Sequence, residues 1–223
     1  IKASSRIPVL GHADGVCHVY LHEDADAEMA AKVVVDSKAQ SPATCNAAEI
    51  LLVHGAFADR CLSRLTSELE RSGVRLDLDP KSASILGREA TKVDEDWSVE
   101  YLDLRMAVKL VISLDEAIDH INRYGSHHTD AIVSSSAEAA RRFMERVDSA
   151  SVYWNASTRF ADGYVYGLGA EVGISTGKLH ARGPVGLEGL CTYKWKLEGR
   201  GDIVADYASG AKLFKHEELR DGE

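Results

Sequence analysis

With 223 residues, 45% hydrophobic and 27% charged, the chain can bury a sizeable core as one large domain or one domain with an appendage. Its net charge of −9, spread along the chain, excludes a Lys/Arg-striped nucleic-acid surface, and no apolar run approaches the ~20 residues of a membrane span. Cys17, Cys45, Cys61 and Cys191 form no Cys-x-x-Cys pair, which excludes a zinc ribbon, gives no sign of a disulfide framework and suits a reducing compartment.

In chain order, Val16 to Tyr20 predicts a strand. Asp24 or Asp26 caps a helix with Met29, Val33 and Val34 inward. A turn of small residues, Ser41 to Glu49, holds Cys45 and leads into the strand Ile50 to Val53. Phe57, Cys61, Leu62, Leu65 and Leu69 recur at helical spacing up to Gly73. Val74, Leu76 and Leu78 alternate as a strand ended by Pro80. Residues 82–97 read as loop, and Met106 to Ile112 as strand. Ser113 and Glu116 form a capping box for a helix stopped at Gly125. A short strand, Ala131 to Val133, precedes a second capping box, Ser135 and Glu138, whose helix turns Phe143 and Val147 inward; the strand Ser151 to Trp154 follows. Strands alternating with single helices predict an α/β fold with a mostly parallel sheet built of βαβ units.

From Asn155 to Glu188 the periodicity stops. Gly, Asn, Ser, Thr and Arg alternate with aromatic and aliphatic residues, as in an ordered, polar-lined loop system beside a ligand. Cys191 to Leu197 then alternates as an amphipathic terminal strand with no local partner. The run Gly167 to Gly173 imitates a dinucleotide fingerprint, but Gly177 and Gly183-Pro184 forbid the long helix that motif must open. His127-His128 lacks a third ligand at metal spacing, so no metal site is expected; these histidines read as loop residues bonding the helix end at Gly125.

Cys45 stands out chemically. A thiol in a Pro-broken turn, beside Asn46 and no bulky neighbour, is placed where a substrate can reach it, as a nucleophile requires; on local sequence alone the commoner role of a free cysteine, a small buried hydrophobe filling a gap, stays open beside that one. Cys17, Cys61 and Cys191 fall inside strand or helix patterns and read as packing residues. Arg159 and Arg182, each among Gly, Asn, Ser and Thr, read equally as solvated surface residues or as alternative clamps for an anion.

Five blocks, Ile7 to Tyr20, Pro42 to Glu49, Val111 to Ile132, Trp154 to Gly163 and Gly167 to Glu188, resemble the γ-glutamyl phosphate reductases of the aldehyde dehydrogenase superfamily. The resemblance implies a Cys45 nucleophile that takes the acyl group of γ-glutamyl phosphate as a thioester, which NADPH reduces to glutamate-5-semialdehyde in proline biosynthesis. It implies substrate-binding residues Asn46, Asn155, Ser157, Thr158, Arg159, Gly173, Ser175, Thr176 and Arg182, and Glu100 as the carboxylate holding the nicotinamide ribose. It further implies a catalytic domain over 1–189, an oligomerisation β-flap over 190–208 and a tail over 209–223. The N-terminal NADP-binding half is expected to lie outside this chain, as is any glutamate kinase half. A homo-oligomer in the cytoplasm, or alternatively the mitochondrion, with no nucleic-acid or membrane partner, completes the expectation. The rival reading is a non-catalytic oligomerisation or regulatory module derived from that enzyme.

Overall fold

The computed structural model describes residues 4–7, 9–11, 14–92 and 96–215. Positions 93–95 of the expected loop and 216–223 of the expected tail lie outside the described residues. The chain divides into two compact units, Ile1–Cys191 and Thr192–Glu223.

The first unit carries a six-stranded sheet in the order β3 (Arg75–Leu78), β4 (Arg105–Val111), β2 (Ala48–His54), β1 (Cys17–Leu21), β5 (Thr129–Val133), β6 (Ser151–Trp154). Every neighbouring pair is parallel, as the βαβ pattern predicts. Helices α1 (Ala27–Ala39), α2 (Gly55–Arg71), α3 (Pro80–Leu86), α4 (Leu114–Tyr124) and α5 (Ala137–Arg146) connect them. Because successive strand side chains point to opposite faces, the sheet builds two cores. Val19, Leu21, Leu51 and Val53 pack with α1 and α2 residues such as Val34, Leu62 and Leu69. Tyr20, Ile50 and Leu52 pack on the other face with Ile118, Ile121 and Phe143 of α4 and α5. Met29 departs from its expected inward place and is exposed, whereas Val33 and Val34 are buried.

The caps follow sequence closely, with two differences. The Asp26 carboxylate accepts from Met29 N at 2.8 Å and starts α1. Ser113 accepts from Glu116 N at 3.1 Å, while the Glu116 carboxylate accepts from Ile112 N at 2.7 Å. Ser136, not Ser135, caps α5; the Ser135 hydroxyl donates to Asp24 O instead. The expected loop 82–97 begins inside α3. Asp79 accepts from Ser82 N, Pro80 opens the helix and Gly87 ends it at φ 62. These are ordinary start and stop signals on a helix too short to show an apolar period.

Residues 155–188 are not wholly irregular. Thr158–Phe160 is one 3₁₀ turn, and β7 (Gly173–Ser175) pairs antiparallel with β8 (Gly183–Val185). The Cys191 to Leu197 strand does not form: among the described residues these have no ladder partner, and Tyr193, Trp195 and Leu197 are 80%, 90% and 98% exposed. Alternation alone cannot satisfy a strand's backbone, which needs a neighbour. Within the second unit, Tyr207 of α6 (Val204–Ala208) stacks on Phe214 with ring centroids 4.5 Å apart. Among the described residues no helix is long and apolar enough to cross a membrane.

Candidate active site

Cys45 lies three residues before β2, at the N-terminal edge of the sheet. Gly15 precedes β1 and Glu100 precedes β4, the strands on either side of β2. Three segments distant in sequence therefore converge because their strands are neighbours. Thr44 closes the Cys45 turn, its hydroxyl donating to Ser41 O at 2.7 Å, and Ala47 N donates to Thr44 O at 2.9 Å. The backbone of Gly15 lies directly against the turn. Its N–H donates to Glu100 Oε1 at 2.8 Å, and the Cys17 thiol donates to Cys45 O at 3.2 Å.

The Cys45 side chain is half-buried, and burial pushes its thiol above the ordinary range. The carboxylates of Glu171 and Glu100 push it the same way, while the Arg159 guanidinium opposes them. The thiol is thus accessible but not ionised in advance; its attack requires a reactive acceptor or loss of the proton during the step. Glu171 is exposed, and its Oε2 accepts from Gly163 N at 2.8 Å. Sequence reasoning gave it no role. The available signal was a carboxylate inside the glycine run 167–173.

The other expected site residues separate into two groups. Arg159 is half-buried. Its Nε donates to Gln40 Oε1 at 2.9 Å, and it lines a cavity of about 380 Å³ with Asp36, Phe160 and Asp162. Gly173 and Thr176 are also partly open. Asn46 turns inward, 6% exposed, and its Nδ2 donates to Ala161 O at 3.0 Å, tying the Cys45 turn to the turn that bears Arg159. Ser157 and Thr158 are buried. The Ser37 hydroxyl donates to Ser157 Oγ at 3.2 Å and accepts from Thr158 N at 3.2 Å. Asn155, at φ 55, accepts from Ser134 N and donates to Ser134 O, so both ends of its amide are used by backbone. Ser175 is buried in β7. Arg182 donates through Nη1 to Asp148 Oδ1 at 2.9 Å and through Nη2 to Asp148 O at 3.1 Å, with Lys178 on the same carboxylate at 2.7 Å.

The remaining cysteines differ from one another. Cys17 is fully buried, Cys61 half-buried, and Cys191 exposed, which corrects its reading as a packing residue: the strand that would have covered it does not form. His127 bonds Asp148 O across the loop rather than the end of α4, and His128 is buried. Among the described residues no three His, Cys, Asp or Glu gather to hold a metal.

No family model matches the chain. A γ-glutamyl phosphate reductase of Pelotomaculum thermopropionicum is 55% identical over 219 residues, 98% of this chain and 50% of that protein. One from Acetivibrio thermocellus is likewise 55% identical, over 98% of this chain and 51% of its own length. The crystal structure of γ-glutamyl phosphate reductase from Thermotoga maritima superposes with a TM-score of 0.87 at 42% identity, covering 91% of this chain and 49% of that one. An acetylating aldehyde dehydrogenase from Geobacillus thermoglucosidasius, 18% identical with a TM-score of 0.61 over 89% of this chain and 54% of its own, shares the fold. The chain spans about half the length of the curated relatives it matches, and over 98% of its own length it is a homologue of the γ-glutamyl phosphate reductases.

Proposed function

We propose that this chain is the thiol-bearing half of an NADP-dependent reductase that converts γ-glutamyl phosphate to glutamate-5-semialdehyde in proline biosynthesis. One observation carries the reading: Cys45, the residue placed for nucleophilic attack, is assembled with Glu100 and Arg159, charges from two distant segments, at one edge of the sheet. The Cys45 sulfur attacks the γ-carbonyl carbon, the C–O bond to phosphate breaks and its electron pair leaves with the phosphate, which also takes up the thiol proton. The product is a thioester. Cys45 would hold the acyl group as a thioester open to a hydride donor, and its sulfur would be the group released with the aldehyde. An acyl phosphate loses its leaving group without strong base assistance, which fits a thiol held above its ordinary pKa. NADPH supplies the hydride when bound. Glu100, half-buried beside the thiol with an acceptor carboxylate, fits the hydroxyl donors of a ribose, and the rest of the cofactor site is assigned to a half outside this chain. The free cysteines accord with a cytoplasmic setting.

The acyl-transfer half-reaction can be read on this chain itself. With γ-glutamyl phosphate generated in situ from glutamate and ATP by a glutamate kinase, intact-protein mass spectrometry is expected to show a γ-glutamyl adduct mapping to Cys45 and missing from Cys45→Ala. An adduct that persists in Cys45→Ala would overturn the assignment, as would no adduct at any concentration. In the complete reductase, Cys45→Ala should lower turnover by roughly 10³-fold or more.

We further assign residues 190–208 to an intersubunit flap. Tyr193, Trp195 and Leu197 alternate with polar residues in the sequence and are exposed, and the Tyr193 and Trp195 rings lie 5.9 Å apart; pairing with a second copy would cover them. Sedimentation at micromolar concentration is expected to show a dimer or larger assembly that becomes monomeric when residues beyond Leu190 are deleted. A full chain that sediments as a monomer would remove the flap.

A further inference from the structure

Beneath the Cys45 turn lies an ion pair for which the mechanism above has no use. Lys38, near the end of α1, donates through Nζ to Glu49 Oε2 at 2.8 Å, and both side chains are completely buried. Burial works against both charges. It lowers the Lys38 ammonium and raises the Glu49 carboxyl to about 7, despite their mutual attraction. Apolar groups of similar volume commonly serve stability as well or better, so stability does not account for the pair.

Its remaining bonds suggest what does. Glu49 Oε1 accepts from Leu102 N at 3.4 Å, and the Tyr101 N–H also stabilises this carboxylate. Leu102 has φ 54, a left-handed conformation that costs a branched apolar residue energy and that local sequence does not request. Immediately before this turn stands Glu100, whose Oε1 accepts from Gly15 N at 2.8 Å beside Cys45. Hydrogen bonds thus link Lys38 to Glu49 and Glu49 to the 101–102 backbone; the chain leads directly to Glu100, whose carboxylate holds the Gly15 amide, and the Gly15 backbone packs against that of Cys45.

We propose that Lys38 and Glu49 are positioning residues: the buried carboxylate holds the left-handed turn at Leu102 and thereby aims Glu100 at the Gly15 amide beside Cys45. The role of Glu100 rests on the reductase reading; the positioning itself does not. Glu49 is faced by Lys38 from α1 and by the Tyr101 and Leu102 amides from the segment before β4, while Asp103 and Cys17 act on Lys38. The charges acting on Cys45 are Glu171, Glu100 and Arg159.

The test uses the whole chain in a Cys191→Ser background, which removes the exposed thiol, with amide exchange by NMR and the pH midpoint of Cys45 alkylation as readouts. The double variant Lys38→Met/Glu49→Leu keeps the buried volume and removes the acceptor. It should speed exchange at both Leu102 and Gly15 by at least ~10-fold, as loss of a held hydrogen bond requires, and leave Leu51 and Leu52 of β2 unchanged. The alkylation midpoint should fall, because the Glu100 carboxylate that raises it is no longer held in place. Glu100→Ala should release Gly15 alone and keep Leu102 protected, which fixes the order of the chain. If the double variant fails to fold, Glu49→Gln gives smaller shifts of the same sign. Unchanged Gly15 exchange with an unchanged midpoint, in whichever variant folds, would overturn the proposal. None of these readouts needs acyl transfer, so the shifts can appear in a chain that forms no γ-glutamyl adduct on Cys45, a result that would sink the functional reading and leave this one standing.

Discussion

Gly15→Ala is expected to cost about 3 kcal/mol or more, the upper end of what overpacking exacts, and to spoil the Cys45 turn. A Cβ at this position would stand 2.1 Å from Cys45 O and 2.6 Å from Cys45 Cα. Both obstacles are backbone, so no side-chain rotation can relieve the clash. One segment would have to withdraw, and each is tied in place. Gly15 N is bonded to Glu100, and Cys45 O accepts from the buried Cys17 thiol. Gly55→Ala is the matched control, since nothing lies within 4 Å of its added methyl; its effect should stay within about 1 kcal/mol, the scale of glycine's backbone entropy. Urea unfolding with Cys45 alkylation rates measures both effects. A Gly15→Ala protein as stable as Gly55→Ala, with unaltered Cys45 reactivity, would show that the two backbones do not meet as described.

The sheet was legible wherever two periodicities coincided. Val19 and Leu21 against Tyr20, or Leu51 and Val53 against Ile50 and Leu52, are apolar on both sides, which marks a strand covered by helices on both faces. α3 was missed because seven residues with Ser82 and Ala83 buried carry too little pattern, although Asp79, Pro80 and Gly87 spelled its ends. The β7–β8 hairpin was missed because three-residue strands around Gly and Pro look like turn. Cys191 to Leu197 was misread because its alternation is real but its partner is not among the described residues. In the site, the turn of small residues around Cys45 is visible locally, but its reading as the nucleophile came from the resemblance of the blocks around it. The approach of Gly15 and Glu100 is not visible locally, since it depends on β1 and β4 flanking β2, and strand order is a tertiary fact. The same blindness hid which polar residues are committed to backbone: nothing local distinguishes Asn155, paired to Ser134, or Asn46, paired to Ala161, from an amide free to meet a ligand.

The two arginines that sequence left as alternatives are separated by their partners, and Arg159 is expected to be the one that matters for substrate. Arg159 acts on the Cys45 thiol, spends one Nε–H on neutral Gln40 and borders a cavity, so much of its guanidinium charge remains for an anion. In the complete reductase, Arg159→Ala should weaken substrate binding by ~2–4 kcal/mol, the worth of charge-assisted bonds to a desolvated anion. Arg182 spends its guanidinium on Asp148, whose carboxyl is held below its usual range by hydrogen bonds from Lys178 and then Arg182. With Arg182 26% and Asp148 40% exposed, solvent screening keeps the pair near the surface value, so Arg182→Ala should cost at most ~1 kcal/mol of stability. A carboxyl depressed on folding stabilises above its unfolded pKa and ceases to do so as pH falls through the folded one. The Arg182→Ala deficit should accordingly be present at neutral pH and fade in acid. Substrate affinity in Arg182→Ala should stay within about 0.5 kcal/mol of the parent, the ordinary range for surface substitutions away from a site. Titrations of substrate against both variants decide the matter: equal losses, or a larger loss in Arg182→Ala, would move the anion site to the β7–β8 side of the molecule.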